Sequence, residues 1–291
     1  MNVVEILRLP LNADLSGFVQ LLRRLQLPHR VTEEAGAQVL WVEESRAEQA
    51  LRLYQLHPDG DIDPQLLPAP EPEQAPRRPG VAEQLRASKA TAAVLLLSLV
   101  VAGLTGLGEN FQTLRWLTFL DFHVKGDYLY FTPLEVSLQA GQWWRLLTPM
   151  LVHFGILHLA MNGLWYWELG RRIEWRQGAF SLLGLTVVFG VVSNAAQYLF
   201  GGPSLFGGLS GVLYGLLGHV WLYQWLAPSP IYRMPKGVLV MMLVWLLLCL
   251  SGLVSLLGFG QIANAAHVGG LLVGCLSGLL GGALARRKLT A

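Results

Sequence analysis

Apolar residues are concentrated in six long runs after residue 89. Each run is close to the roughly 20 residues that an α-helix needs to cross a bilayer. The pattern therefore predicts an α-helical polytopic membrane protein, with a bundle of six transmembrane helices in residues 90–284. The runs lie near residues 90–107, 146–169, 179–200, 208–226, 237–257 and 263–284.

Residues 1–57 have a different pattern, in which short strand-like segments alternate with segments of helical period. VVEILRL, HRVTEEA and AQVLWVE indicate strands, and LSGFVQLLRRLQL and SRAEQALRLYQLH indicate helices. This order predicts a small α+β domain. Residues 58–89 begin with a Pro-rich acidic stretch typical of an extended linker and end in a basic juxtamembrane segment. Residues 285–291 form a basic tail.

Basic residues alternate with uncharged loops along the predicted spans. RRPGVAEQLRASK precedes the first span, and RRIEWRQ, IYRMPK and RRK follow the second, fourth and sixth. The loops GGPSLFGG and GFGQIAN, after the third and fifth spans, carry no charge. By the positive-inside rule, both termini are expected in the cytoplasm and the uncharged loops on the outer side.

Composition supports a membrane protein and excludes several function classes. Hydrophobic residues make up 53% of the chain and charged residues 14%, with a mean hydropathy of +0.44. A net charge of +2 without a basic cluster argues against nucleic-acid binding. The spans contain no HExxH motif and no aspartate, which argues against a zinc or aspartyl protease. No metal or cofactor is expected.

Two predicted spans carry glycines at every fourth position. These are Gly270, Gly274, Gly278 and Gly282 in the sixth span, and Gly207, Gly211 and Gly215 in the fourth. Glycine faces of this kind let two helices approach closely. Because Ser210 and His267 lie near the outer ends of these spans, the packed faces are expected to bring a hydroxyl and an imidazole together.

This pairing fits nucleophilic catalysis. An imidazole at His267 can remove the proton of Ser210, and no carboxylate in the spans is available as a third member, so a Ser-His dyad is predicted. The backbone N–H groups of Leu209 and Ser210, at a helix start shaped by Gly208, can bind an oxyanion. His158 and Asn162, four residues apart on one helical face, can add donors. Tyr214, one turn below the serine, is expected to pack against the imidazole.

Helix arithmetic also gives expected depths. The fourth span from Ser210 to Trp225 is about 22 Å long, which places the serine below the outer surface. His158 lies nine residues after Pro149, a descent of about 14 Å if the second span is helical from that proline. His153, five residues before His158, is expected to point away from it.

Four motifs of the chain resemble those of a known family, the rhomboid intramembrane serine proteases, in particular a bacterial type with a small N-terminal α+β domain. They are WWR at 143–145, HFGILHLAMN at 153–162, GGLSGVLYGL at 207–216 and NAAHVGGLLVG at 264–274. The resemblance implies that Ser210 is the nucleophile and His267 its base. It also implies that His158, Asn162 and the Ser210 amide bind the oxyanion, that Tyr214 supports His267, and that Trp144 and Arg145 belong to a loop in the outer leaflet.

The resemblance further implies a substrate class and a location. The family cleaves single transmembrane segments of other membrane proteins near their outer ends, so the partners are expected to be such proteins and membrane lipid, in a bacterial inner membrane. The fifth span, with Trp245, resembles the element beside which substrates enter. A non-catalytic membrane chaperone or adaptor on the same fold is the main alternative, and the intact Ser210 and His267 argue against it. A transporter is disfavoured because the spans show no internal repeat.

Overall fold

A computed structural model gives the architecture of residues 3–62, 80–256 and 261–290. The chain divides into two compact units, Met1–Arg78 and Pro79–Ala291. The linker predicted between them lies largely outside the described residues. The fold is mostly helical, with a small β-sheet confined to the first unit and a short hairpin in the second.

The N-terminal unit is a three-stranded antiparallel sheet with two helices, in the order predicted. The strand order is β1-β3-β2, and a hairpin joins β2 to β3 through Ala35 and Gly36, both at positive φ, as in a two-residue hairpin turn of type I′. The register of β1 shifts between Glu5 and Leu7. The elements are β1 (Val3–Pro10), α1 (Ser16–Arg24), β2 (His29–Glu34), β3 (Ala37–Glu43) and α2 (Ala47–Leu56).

The core of this unit lies between the helices and the sheet. Phe18, Leu22 and Leu40 are fully buried, and the ring of Phe18 meets that of Tyr54 edge to face at 5.0 Å between centroids. The packed residues continue past residue 57 as far as Ile62, which contacts the same core.

The second unit contains the long apolar helices. The connection between the first two long helices is folded, with a short helical turn, a two-stranded hairpin and a second short helix. The elements are α3 (Val81–Ala87), α4 (Lys89–Leu104), α5 (Phe111–Leu114), β4 (Phe122–Lys125), β5 (Tyr128–Phe131), α6 (Leu134–Gln139), α7 (Ile156–Gln177), α8 (Ala179–Gly201), α9 (Ser210–Leu226), α10 (Lys236–Leu250), α11 (Leu253–Leu256) and α12 (Asn264–Thr290). Two short 3-10 helices, Trp143–Leu146 and Thr148–Leu151, precede α7.

The start of α4 is held by side chains of α7. Helix α3 meets α4 at 103°, and the carboxylate of Glu174 accepts hydrogen bonds from the backbone N–H groups of Ala90 and Thr91, both at 2.9 Å. The indole of Trp175 donates to the carbonyl oxygen of Ala87 at 3.0 Å. Because the first N–H groups of a helix have no partner within it, the carboxylate acts as a cap supplied from another helix.

Helix α9 is the centre of the bundle, and α12 packs directly on it. Nearly every residue from Gly211 to Val220 is buried. A Cβ atom at Gly270 would lie 2.0 Å from the carbonyl oxygen of Gly211, and one at Gly274 would lie 2.0 Å from that of Gly215. The predicted close approach of these two helices is therefore present, and it depends on the absence of side chains.

The opposite face of α12 is apolar and exposed. Leu272, Leu276, Leu280 and Leu284 recur at four-residue spacing, each more than half exposed. An exposed apolar stripe of this length is typical of contact with lipid.

By their length and composition alone, the helices of the structure support fewer membrane spans than the six that the apolar runs predict. Among the described residues, Ala179–Gly201 and Asn264–Lys288 are long and apolar enough to cross a membrane, and the bent pair α3 and α4 would make a third span. Helix α7 carries charged residues over its last three turns, and α9 and α10 have only 17 and 15 residues. A count of six spans stays a prediction.

Candidate active site

Ser210 and His267 are in hydrogen-bond contact. The serine is the first residue of α9, and the histidine lies in the first turn of α12. The distance from His267 Nε2 to Ser210 Oγ is 2.8 Å. His267 is 5% exposed, and its Nδ1 has no hydrogen-bond partner within the described part of the chain. The two side chains therefore form a pair without a third, orienting group.

Tyr214 supports the imidazole from α9. Its ring lies 5.0 Å from that of His267, centroid to centroid, as its position one turn below Ser210 predicted. The hydroxyl donates a hydrogen bond to the carbonyl oxygen of Met242 in α10 at 3.0 Å. A second bond to this helix runs from Asn264 Nδ2 to the carbonyl oxygen of Cys249 at 3.0 Å.

The glycine face of α9 includes Gly218 in place of the predicted Gly207. Gly211 and Gly215 face α12, and Gly218 continues the face, because a Cβ there would lie 2.8 Å from both the Leu271 carbonyl oxygen and the Cys275 nitrogen. Gly207 does not belong to it. It precedes the helix, and a Cβ there would meet the carbonyl oxygens of Val152 and Pro149 at 2.8 and 2.9 Å. Gly207 thus permits contact with the segment before α7.

Gly208 lines a space beside the serine. Its φ of 109° lies in the region that favours glycine, and its N–H donates to the carbonyl oxygen of Pro149 at 3.0 Å. A Cβ atom at this residue would lie 2.6 Å from His158 Nε2 and 3.2 Å from Asn162 Nδ2. The space next to the backbone of Gly208 is therefore bordered by two nitrogen atoms of α7.

These nitrogen atoms are available as donors. His158 Nδ1 accepts a hydrogen bond from the backbone N–H of Phe154 at 3.3 Å, which leaves the ring proton on Nε2. Asn162 is 4% exposed, and its Nδ2 has no partner in the ranges that the structure describes. Leu209, fully buried at the N-cap of α9, presents the start of the helix without a side-chain cap. Such unpaired donors around one space suit a negatively charged oxygen.

The chain from Pro149 to His158 is not one continuous α-helix, which overturns two expectations. Helix α7 begins at Ile156, and Gly155, with a φ of 93°, ends the irregular segment. The depth worked from Pro149 to His158 at a helical rise is therefore wrong. His153 precedes the helix, and its ring lies 5.1 Å from that of His158 instead of pointing away.

Arg145 organises the loop between α4 and α7. The side chain is buried, and its Nη1 donates to the carbonyl oxygens of Arg115 and Thr118 at 2.6 and 2.9 Å.

Asp121 pairs with Arg115 at 3.0 Å and approaches Arg145 at 3.6 Å. Burial opposes ionisation of Asp121, but its hydrogen bond from Arg115 and the two positive charges hold the pKa of this carboxyl below its usual range. Trp144 donates its indole N–H to the carbonyl oxygen of Trp116 and stays 44% exposed.

Two polar residues of α8, Asn194 and Gln197, contact the backbone next to the site, and no specific partner could be predicted for either from the sequence. Asn194 Nδ2 donates to the carbonyl oxygen of Leu146 at 2.9 Å. Gln197 Oε1 accepts from the backbone N–H of Ala266, next to His267, at 3.2 Å. Ser193 and Asn194 also line a small cavity behind Ser210. Their position among apolar residues of a predicted span was the available signal, since buried polar groups in membranes require partners.

The residues described contain no group of three or more His, Cys, Asp or Glu side chains arranged for a metal ion.

The fold and site define a helical membrane protein with a partly buried Ser-His pair, whose serine begins the central helix and whose histidine lies on the helix packed against it. Two family descriptions match the chain, "Rhomboid domain" over residues 140–283 and "Rhomboid N-terminal domain" over residues 1–75. Together they include the N-terminal unit and the whole site. The chain belongs to the rhomboid family.

Curated relatives agree with this assignment. The chain is 44% identical over 140 residues to proteins called Rhomboid protease GlpG from Yersinia pestis (strain Pestoides F), Yersinia pseudotuberculosis (serotype O:3, strain YPIII) and Serratia proteamaculans (strain 568). Each match covers 48% of this chain and 49% of the relative. The matched region thus spans about half the length of these relatives.

Proposed function

We propose that this protein is an intramembrane serine endopeptidase that hydrolyses peptide bonds at or near the outer end of single transmembrane segments of other membrane proteins. The observation that carries the proposal is the 2.8 Å contact between Ser210 Oγ and His267 Nε2 at the start of a buried helix. The name shared by the curated relatives, Rhomboid protease GlpG, supports the same activity.

In the first step, Ser210 Oγ attacks the carbonyl carbon of the scissile bond while its proton passes to His267 Nε2. The protonated imidazole then gives this proton to the leaving amine as the C–N bond breaks, and an ester forms on the serine. In the second step, His267 removes a proton from water, whose oxygen attacks the ester. The acid product leaves, and the proton returns to Ser210.

The negative charge that develops on the carbonyl oxygen is assigned to the space beside Gly208. His158 Nε2–H and Asn162 Nδ2–H border it, and the N–H groups of Leu209 and Ser210 at the start of α9 are the backbone donors. Donors that are already oriented in a site shielded from water stabilise such charge strongly, commonly by a factor of 10²–10³ in rate per donor.

The orientation in the membrane is also proposed. Helices α4, α7, α8, α9, α10 and α12 form six spans, and the basic residues between and after them place both termini in the cytoplasm. In this orientation the pair opens toward the outer leaflet of a bacterial inner membrane. Two side-chain hydrogen bonds described above tie α10 to α9 and α12, so a substrate segment that enters from lipid beside Trp245 needs to break few polar contacts.

Cleavage of single-span substrates by the purified protein in lipid or detergent tests the proposal. Ser210→Ala and His267→Ala should abolish cleavage and labelling by a fluorophosphonate. Ser204→Ala is the matched control, because this serine lies in the loop before Ser210 and its hydroxyl donates to the carbonyl oxygen of Gly202 in the same loop region. Cleavage that persists in Ser210→Ala would exclude this residue as the nucleophile.

A further inference from the structure

A second set of polar side chains connects α9 and α12 far from Ser210 and His267. We name it the distal cluster, and it consists of Gln177, His219, Tyr232 and Ser277. His219 Nδ1 lies 2.9 Å from Ser277 Oγ, and His219 Nε2 lies 2.8 Å from Gln177 Nε2. Gln177 Nε2 also donates to the hydroxyl of Tyr232 at 2.7 Å. His219 and Tyr232 are 2% and 1% exposed, and Gln177 and Ser277 are partly buried.

The hydrogen-bond pattern fixes the proton positions in this cluster. Ser277 donates its only hydroxyl proton to the carbonyl oxygen of Gly274 at 2.9 Å. The serine oxygen therefore accepts from His219, which carries its proton on Nδ1. His219 Nε2 then accepts from the amide of Gln177. This arrangement uses Ser277 as an acceptor and excludes it as a second nucleophile.

The glycine contact between α9 and α12 does not by itself select a register. Glycines recur every four residues on α12, and Gly211 and Gly215 are also four apart on α9. A slide of one repeat, about 6 Å, would again place glycine against glycine. Side-chain hydrogen bonds between the two helices can distinguish the native register from its neighbours.

Two side-chain bonds between these helices, Ser210 to His267 and His219 to Ser277, are seen in the described part of the chain, and they enclose nearly equal lengths of helix. Ser210 and His219 are nine residues apart on α9, about 14 Å, and His267 and Ser277 are ten apart on α12, about 15 Å. During the proposed reaction the Ser210 oxygen becomes part of an ester, so its hydroxyl can no longer donate to His267. The bond between His219 and Ser277 takes no part in this chemistry and is unchanged by it.

We propose that His219 and Ser277 are positioning residues, which hold α9 and α12 in the register that brings Ser210 to His267 throughout the catalytic cycle. The inference rests on the proposed function. It adds that the reaction rate depends on a hydrogen bond about three turns away from the reacting atoms.

Two substitutions of His219 distinguish the hydrogen bond that its ring makes with Ser277 from the one that it makes with Gln177. His219→Asn places an amide nitrogen near the position of Nδ1 and keeps the donor to Ser277. His219→Gln reaches toward Gln177 and leaves Ser277 without its donor. We expect His219→Gln and Ser277→Ala to lower kcat about three- to ten-fold with KM unchanged, as expected for one lost neutral hydrogen bond. We expect His219→Asn to stay close to the wild-type kcat.

The control is Ser98→Ala, because this buried serine donates its hydroxyl proton within its own helix, to the carbonyl oxygen of Val94. Rates are measured well below each melting temperature, by peptide cleavage and by the rate of fluorophosphonate labelling. If Ser277→Ala does not fold, the comparison of His219→Gln with His219→Asn decides alone. Equal kcat values for these two variants, or a Ser277→Ala rate equal to that of Ser98→Ala, would overturn the inference. Cleavage by Ser210→Ala would instead reject the proposed function.

Discussion

Gly274→Ala tests whether the close approach of α9 and α12 positions the reactive pair. The new Cβ atom would lie 2.0 Å from the carbonyl oxygen of Gly215, whereas ordinary contact begins at 3.4 Å. The two helices must therefore separate locally by the difference, about 1.4 Å. Neither atom is the end of a flexible side chain, so the contact cannot be relieved by a rotamer change.

The same displacement at the site would stretch the 2.8 Å contact between Ser210 and His267 to about 4 Å, beyond hydrogen-bond range. A misplacement of about 1 Å can lower an enzymatic rate by about 10²-fold. Overpacking in a close-packed interior costs about 1–3 kcal/mol. We therefore expect a loss of about 100-fold in kcat together with a lower melting temperature.

The assay combines thermal unfolding in detergent with the rate of fluorophosphonate labelling at a temperature where the variant stays folded. Gly184→Ala is the matched control, because this helical glycine of α8 has no atom within 4 Å of its would-be Cβ. The control should unfold at the same or a slightly higher temperature, since alanine favours a helix over glycine by up to about 1 kcal/mol. If Gly274→Ala labels at the rate of Gly184→Ala, the glycine contact does not position the pair.

Three further changes test other parts of the site. Gly208→Ala, which combines a positive φ with a Cβ 2.6 Å from His158 Nε2, should fold but lose about 10²-fold or more in kcat; a wild-type rate would exclude an oxyanion at this place. Tyr214→Phe keeps the ring on His267 and loses the bond to Met242, so stability should fall by about 1 kcal/mol while the labelling rate changes little; an unchanged melting temperature would contradict this. The pKa of Asp121 is lowered by folding, so the stability it contributes is present above about pH 4 and is lost as the pH falls through its folded pKa. Melting temperatures from pH 7 to pH 3 should therefore fall more steeply for the wild type than for Asp121→Asn, and parallel curves would count against the pairing.

The reactive pair could be predicted from the sequence because it depends on regular helices. The glycine repeats at four-residue spacing indicate which faces of the two helices meet, and Ser210 and His267 were expected at similar depth because both lie near the outer ends of these spans. Tyr214 follows from the same period. The α+β elements of the N-terminal unit were likewise readable from periods of two and of about 3.6 residues.

The errors fall where the chain leaves regular structure. The depth of His158 and the direction of His153 were worked out as if the helix continued from Pro149, but a 3-10 turn and Gly155 interrupt it. Gly207 fits the spacing of the α9 face and yet lies outside the helix. The roles of Asn194 and His219 depend on backbone and side-chain groups far away in sequence, and no local pattern encodes such partners.

The cap that α7 supplies to α4 has a consequence for the order in which the membrane unit is assembled. The carboxylate of Glu174 is made 84 residues after the N–H of Ala90 that it binds, and Trp175 is made 88 residues after the carbonyl of Ala87. While the ribosome is still producing the intervening residues, the first N–H groups of α4 lack this cap and are left to water. The contacts that hold the bend between α3 and α4 form only when α7 has been synthesised almost to its end. Synthesis of α4 and its assembly are therefore separate events.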